Sequence, residues 1–260
     1  MRIIVAPDRD ALAHHVADCV QRLVCQSKPA SLGIATGATM EGPLSELVHR
    51  HQAGALSLAD TDVYLLDEYL GLNPGDPHTF ANTVRRRLVQ ATDLSPDSVH
   101  APNPHNPDLD AECADYEKRV RGARIELQLL GIGTNGHIAF NEPGSSFSST
   151  TRVVQLSKQT RDDNAGAFTH GIRVPASAIT QGIATILTAA ELLLVACGQS
   201  KARSVARALE GPVTRSLPAS ALRLHHNATV VLDPQAAALL TPDHRQPQQA
   251  IHETGKDTHE

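Results

Sequence analysis

The stretch Leu129-Leu130-Gly131-Ile132-Gly133-Thr134-Asn135-Gly136-His137-Ile138-Ala139-Phe140-Asn141-Glu142-Pro143 decides how the rest of the chain is read. An apolar run that breaks into glycines and then presents a histidine and a carboxylate reads as a buried strand ending in a site. Ligands of open α/β sheets collect at the carboxyl ends of such strands. His137 and Glu142 are therefore the first candidates for chemistry. A nearby carboxylate orients an imidazole for proton transfer, although a core histidine held by Glu142 fits the same residues.

Outward from this stretch, strands and helices alternate. Ile3 to Ala6 reads as a strand, and Pro7-Asp8 as a turn and cap before Leu12, Val16, Val20, Leu23 and Val24 at helical spacing. Ser31 to Thr36 is the next strand, and Thr36-Gly37-Ala38-Thr39 leads into a helix carrying Leu44, Leu47 and Val48. Asp62 to Leu66 is a third strand, with Asp67-Glu68-Tyr69 at its carboxyl end. Thr79 to Val89 and Leu109 to Val120 read as helices, and Pro102 to Pro107 as a loop. Ile183 to Leu187 and Leu192 to Cys197 look strand-like. Gly198-Gln199-Ser200-Lys201 is another strand-to-helix loop, before a helix from Ala202 to Leu209 and a last strand from Ala228 to Leu232.

This order predicts a three-layer α/β/α fold around a mainly parallel, doubly wound sheet. Residues 1–240 are expected to form one domain, in which a hydroxyl-rich, weakly periodic segment at about 143–175 acts as a lid. Residues 241–260 read as a disordered polar tail.

Composition narrows the function classes. The net charge of -5 and the absence of tryptophan or basic runs argue against a nucleic-acid surface, so anions must be bound by local devices. No apolar run approaches the roughly 20 residues of a membrane helix, and no cleavable leader is visible. Cys19, Cys25, Cys113 and Cys197 are scattered without CxxC spacing, which fits reduced thiols in the cytoplasm. His137 and Glu142 lack the spacing of a metal-binding helix, so no metal is expected. A Gly-x-Ser-x-Gly nucleophile turn is also absent.

Three constellations remain. Thr36-Gly37-Ala38-Thr39 has the small residues and helix start of a phosphate cradle, to which Lys201 would add a cation; a tight turn and a solvated lysine are the alternatives. Asp67 with Glu68 could form an acid/base pair, since a carboxylate desolvated at a strand end has its pKa raised; a helix cap is the alternative. Together with His137 these groups suit acid/base chemistry on a small phosphorylated substrate.

Read in order, Ala35-Thr36-Gly37-Ala38-Thr39, Asp67-Glu68-Tyr69-Leu70-Gly71-Leu72, Gly131 to Pro143, Thr160-Arg161 and Gly198-Gln199-Ser200-Lys201 resemble the glucosamine-6-phosphate deaminase/isomerase family. The related 6-phosphogluconolactonases share the glycine-rich strand end but do not characteristically continue as Phe140-Asn141-Glu142-Pro143. The resemblance implies that Asp67 moves a proton between C2 and C1 of the open-chain sugar. It implies that His137 opens the pyranose ring, oriented by Glu142 and Asn135. Thr36, Gly37, Ala38, Thr39 and Lys201 would hold the 6-phosphate, with Glu68 and Gly133 also at the substrate. The product would be fructose 6-phosphate and ammonia, through an enediol-type intermediate that needs no redox cofactor.

Three positions depart from that pattern. Asn135 stands where many members have Asp, and Val154 where allosterically regulated hexamers have a lysine. Gly166 stands where the family's lid arginine clamps the phosphate, leaving Arg173, Arg161 or Lys158 as replacement cations. A roomier lid admits a second reading, a lyase-type dehydratase that expels the C3 hydroxyl of N-acetylglucosamine 6-phosphate. A 6-phosphogluconolactonase and a non-catalytic sugar-phosphate sensor are more distant readings. The expected partner is an amino-sugar phosphate, with neither nucleic acid nor membrane; a homo-oligomer is allowed.

Overall fold

A computed structural model describes residues 1–168 and 172–245. In chain order the elements are β1 (Arg2–Val5), α1 (Arg9–Gln26), β2 (Ala30–Ile34), α2 (Glu41–Gln52), β3 (Thr61–Leu65), β4 (Asp67–Tyr69), α3 (Phe80–Val84), β5 (Val99–His100) and α4 (Leu109–Ala123). They continue with β6 (Leu127–Leu130), β7 (Arg152–Gln155), α5 (Lys158–Asn164), β8 (Ser177–Thr180), α6 (Ile183–Ile186), β9 (Glu191–Ala196), α7 (Ala202–Glu210), β10 (Ala228–Leu232) and α8 (Pro242–Arg245). Seven strands form one sheet in the order β1-β10-β9-β6-β2-β3-β5, with every pair parallel.

The strands of this sheet are apolar on both faces because both are covered by helices. Along β9, Leu192, Leu194 and Ala196 join one buried cluster with Tyr116 and Val120 of α4, Ile183 of α6 and Val205 of α7. The intervening Leu193 and Val195 join the opposite cluster with Leu12 and Val16 of α1 and Leu44 and Leu47 of α2. This period of two is the α/β/α sandwich expected from the sequence.

Two local readings are corrected. Ile183 to Leu187 is not a strand: Ile183–Ile186 is one helical turn after Gly182. Thr79 to Val89 starts as α3, capped by Thr79, but its second half, Arg85–Val89, widens into a π-helix. The segment expected as a lid contains regular structure: β7 pairs with β8, which pairs with β4, in a second, antiparallel sheet. Ser157 caps α5 by accepting from Thr160 N–H. The tail expected from Thr241 begins with α8, and both Thr241 N–H and its hydroxyl donate to Glu210, at 2.8 and 2.7 Å; residues 246–260 lie outside the described residues. No helix among the described residues is long and apolar enough to cross a membrane.

Candidate active site

Beyond the end of β6 the chain turns back on itself. Gly133 N–H donates to His137 C=O at 2.9 Å and Gly136 N–H to Gly133 C=O at 3.0 Å. Gly136 has φ +88°, a conformation that disfavours side chains, and Ala139 adopts φ +46° despite having one. Gly133 is required for a different reason. A Cβ there would lie 2.3 Å from both Nδ1 and Cε1 of His137, so the imidazole occupies the space a side chain would need.

His137 is anchored from behind. Its N–H donates to Asn135 Oδ1 at 3.1 Å, while Asn135 Nδ2 donates to Glu142 Oε2 at 2.8 Å. Ser157 N–H donates to Glu142 Oε1 at 2.9 Å. His137 Nδ1 lies 4.0 Å from Glu142 Oε2 and 3.4 Å from the Thr160 hydroxyl. Burial, only partly opposed by Glu142, pushes the His137 pKa down to about 4, so the ring is neutral at pH 7. Burial also disfavours the charge on Glu142, but donors from Thr160, Ser157 and Asn135 outweigh it and hold the carboxylate below its usual range. The carboxylate therefore stays ionised beside a neutral imidazole.

Asn135 separates functions that an aspartate would merge. In Asn135→Asp two carboxylates would meet at the present 2.8 Å contact, where both cannot stay ionised without cost. The added negative charge is expected to raise the His137 pKa above about 4. An imidazole NMR titration checks this, and an unshifted ring would contradict it.

Asp67 opens β4 and lies opposite Thr180 of β8. Among the described residues its carboxylate has no hydrogen bond or ion pair, and burial, reinforced by the Glu68 charge, pushes its pKa well up. Glu68 corrects the sequence reading. It is 1% exposed, and its carboxylate accepts from Tyr69, Phe80 and Ala81 N–H, each at 2.9 Å. Alternation along the strand turns it away from Asp67 and onto the first turn of α3, so its carboxylate caps a helix.

The cradle loop leaves β2 and forms a tight turn, Ala38–Met40, before α2. This turn packs against β9, whose own exit loop carries Lys201. The strand order β9-β6-β2 places the two loops on either side of the His137 loop. Thr36 and Thr39 are half-buried, Gly37 and Ala38 are exposed, and among the described residues a Cβ on Gly37 would meet no protein atom within 4 Å. Lys201 is half-buried and has no salt bridge among the described residues; burial, opposed by Asp163, lowers its pKa. The site thus draws Asp67, His137, Glu142, Asn135, Gly133, the 36–39 loop and Lys201 from the carboxyl ends of the interior strands β3, β6, β2 and β9.

Arg173 is exposed, without a hydrogen bond or ion pair among the described residues. Tyr69, Thr134 and Asp163 escaped the sequence reading. Asn164 Nδ2 donates to the Tyr69 hydroxyl at 3.1 Å, and Phe168 packs on Tyr69 at 5.5 Å, which holds the 164–168 segment over β4. The Thr134 hydroxyl donates to Asp163, tying α5 to the glycine loop. Among the described residues no three His, Cys, Asp or Glu side chains are grouped to hold a metal ion.

The family described as glucosamine-6-phosphate isomerases/6-phosphogluconolactonase matches residues 8–231. A glucosamine-6-phosphate deaminase of Bacillus pumilus is 41% identical over 240 residues, covering 92% of this chain and all of that protein. One of Mycolicibacterium smegmatis is 41% identical over 242 residues, covering 92% and 93%. The solved structure of a protein described as a monomeric glucosamine-6-phosphate deaminase has a TM-score of 0.89 at 41% identity, covering 92% of this chain and 100% of that one. The 6-phosphogluconolactonase of Trypanosoma brucei shares the fold, with a TM-score of 0.73 at 20% identity, covering 92% and 98%. With a match spanning the sheet from α1 to β10, the chain belongs to the glucosamine-6-phosphate isomerase/6-phosphogluconolactonase family.

Proposed function

We propose that the protein converts glucosamine 6-phosphate to fructose 6-phosphate and ammonia. The observation that carries this reading is the presence, beyond the carboxyl ends of β3 and β6 on either side of β2, of a desolvated carboxylate, Asp67, that has no hydrogen-bond partner among the described residues, and a buried neutral imidazole, His137. The substrate's 6-phosphate would sit on the 36–39 loop and Lys201. His137, held by Asn135 and Glu142, takes a proton from the anomeric hydroxyl and returns it to the ring oxygen, which opens the ring. Asp67 then removes the C2 proton and delivers it to C1. A raised pKa makes its carboxylate a stronger base near working pH. The C2 amine becomes an imine, and water releases it as ammonia. The four free thiols suit a reducing cytoplasm.

The small side chain at Gly166 favours keeping the N-acetylated sugar phosphate as the competing substrate, because among the described residues a Cβ there would meet no protein atom within 4 Å. The test incubates the protein with glucosamine 6-phosphate and with N-acetylglucosamine 6-phosphate, following ammonia and ultraviolet-absorbing product. Ammonia from the first supports the deaminase. An unsaturated product from the second, without ammonia, would replace it with the dehydratase.

Position 166 lies between Asn164 and Phe168, which both touch Tyr69, so a long side chain there starts above β4 with room to extend. A charged donor to phosphate contributes about 1.5 to 3 kcal/mol. Gly166→Arg is expected to lower the KM for glucosamine 6-phosphate about tenfold. An unchanged KM would show that another cation already serves the phosphate.

A further inference from the structure

The two catalytic groups come from different sheets, and one buried hydroxyl joins the structures that carry them. Thr180 is fully buried on β8, paired with Asp67. Gln181 N–H donates to Leu66 C=O at 2.7 Å and Leu70 N–H to Ser177 C=O at 3.0 Å. By the alternation of an antiparallel ladder, Asp67 and Thr180 then form the narrow, non-hydrogen-bonded pair, with neighbouring side chains on one face. On that face the Thr180 hydroxyl accepts from Phe140 N–H at 3.1 Å and donates to Gln181 C=O at 3.2 Å.

Phe140 belongs to the loop that presents His137, and it follows Ala139, whose left-handed backbone disfavours the turn. Asn141 Nδ2 donates to Ile138 C=O at 3.1 Å and Gln181 C=O at 2.8 Å, so the same two residues of β8's end grip the turn twice. The side chain of Gln181 secures the Asp67 side, donating to Leu65 C=O at 2.9 Å, one strand-end before Asp67.

We infer that Thr180 is a positioning residue, whose hydroxyl sets the His137 loop against Asp67 across the β4–β8 pair. It touches no substrate. The inference rests on the reading of Asp67 and His137 as the acid/base pair. Removing the hydroxyl leaves Phe140 N–H without its acceptor and frees the strained turn, while the 36–39 loop and Lys201 are untouched.

The test compares Thr180→Val, which keeps the shape, with Thr180→Ser, which keeps the hydroxyl. Expected is a kcat for glucosamine 6-phosphate at least tenfold lower in Thr180→Val, normalised to folded protein, with KM within threefold and near-complete rescue in Thr180→Ser. The His137 ring should also titrate at higher pH in Thr180→Val alone, because a loosened loop admits water to the imidazole. If Thr180→Val does not fold, Thr180→Ala, which removes the same hydroxyl, takes its place with the same expectations. Equal loss in the Ser variant, or wild-type kcat and an unmoved titration in the Val variant, would overturn the inference. Absence of ammonia with the wild-type protein would count against the proposed activity, and the His137 titration would then decide the role of Thr180 alone.

Discussion

Asp67→Asn lowers kcat about 10³-fold, in the middle of the range for removal of a positioned general base, and leaves KM nearly unchanged. Asparagine keeps the shape of the side chain, and the phosphate cradle lies on other loops. The same change should stabilise the fold. The folded pKa of Asp67 is raised, so the penalty for its charge is absent below the ordinary carboxylate pKa and grows as pH rises through the folded value. The thermal midpoint of Asp67→Asn should therefore exceed that of wild type at pH 8 and approach it at pH 3. A variant that loses both activity and stability would mark Asp67 as structural. In the wild type, the acid limb of kcat/KM should lie above the ordinary carboxylate value of about 4, because Asp67 must be ionised to act.

Gly133→Ala should be nearly as damaging, although it removes no chemical group. The added Cβ would lie 2.3 Å from the His137 ring, against backbone held by the Gly133 to His137 hydrogen bond of 2.9 Å. The ring must leave its place between Thr160 and Glu142, and a displaced general acid/base forfeits about 10²-fold or more. Kinetics of Gly133→Ala beside His137→Gln checks this. Equal losses in the two single variants and in the double variant are expected, since both disable one group. An active Gly133→Ala would show that the imidazole is free to work from elsewhere.

The parts of this site that were legible in sequence are those where strand ends coincide with polar residues. The run Leu129-Leu130 breaking at Gly131 marked the His137 loop, and the strand read from Asp62 to Leu66 with Asp67 at its carboxyl end marked the second element. Glu68 was misread because its partners, Phe80 and Ala81, lie twelve and thirteen residues on, beyond the range of local pattern. Ile183–Ile186 was misread because four mostly β-branched and apolar residues carry strand propensity, and tertiary packing overrode it. The antiparallel sheet was missed because β4, β7 and β8 have only three or four residues each, too few to show a period. Thr180 gave no signal, since its role exists only where β8 crosses between β4 and the His137 loop.

The cradle was legible as small residues, but its cation balance was not. Arg173 is exposed and makes no ion pair among the described residues, whereas Asp163, unremarkable in sequence, places a carboxylate on the glycine loop near Lys201. In the proposed reading the phosphate end would rest on Lys201 and the 36–39 loop, with Asp163 as an acidic neighbour and open space around Gly166 among the described residues.

The central claim, that Asp67 removes the proton from C2, is tested most directly by following deuterium placed at C2 of glucosamine 6-phosphate by NMR, with wild-type protein and with Asp67→Asn. Wild type should move the label from C2 to C1 or to solvent as ammonia appears, and Asp67→Asn should bind the sugar with the label still at C2. Loss of the label at equal rates in both proteins would contradict the claim.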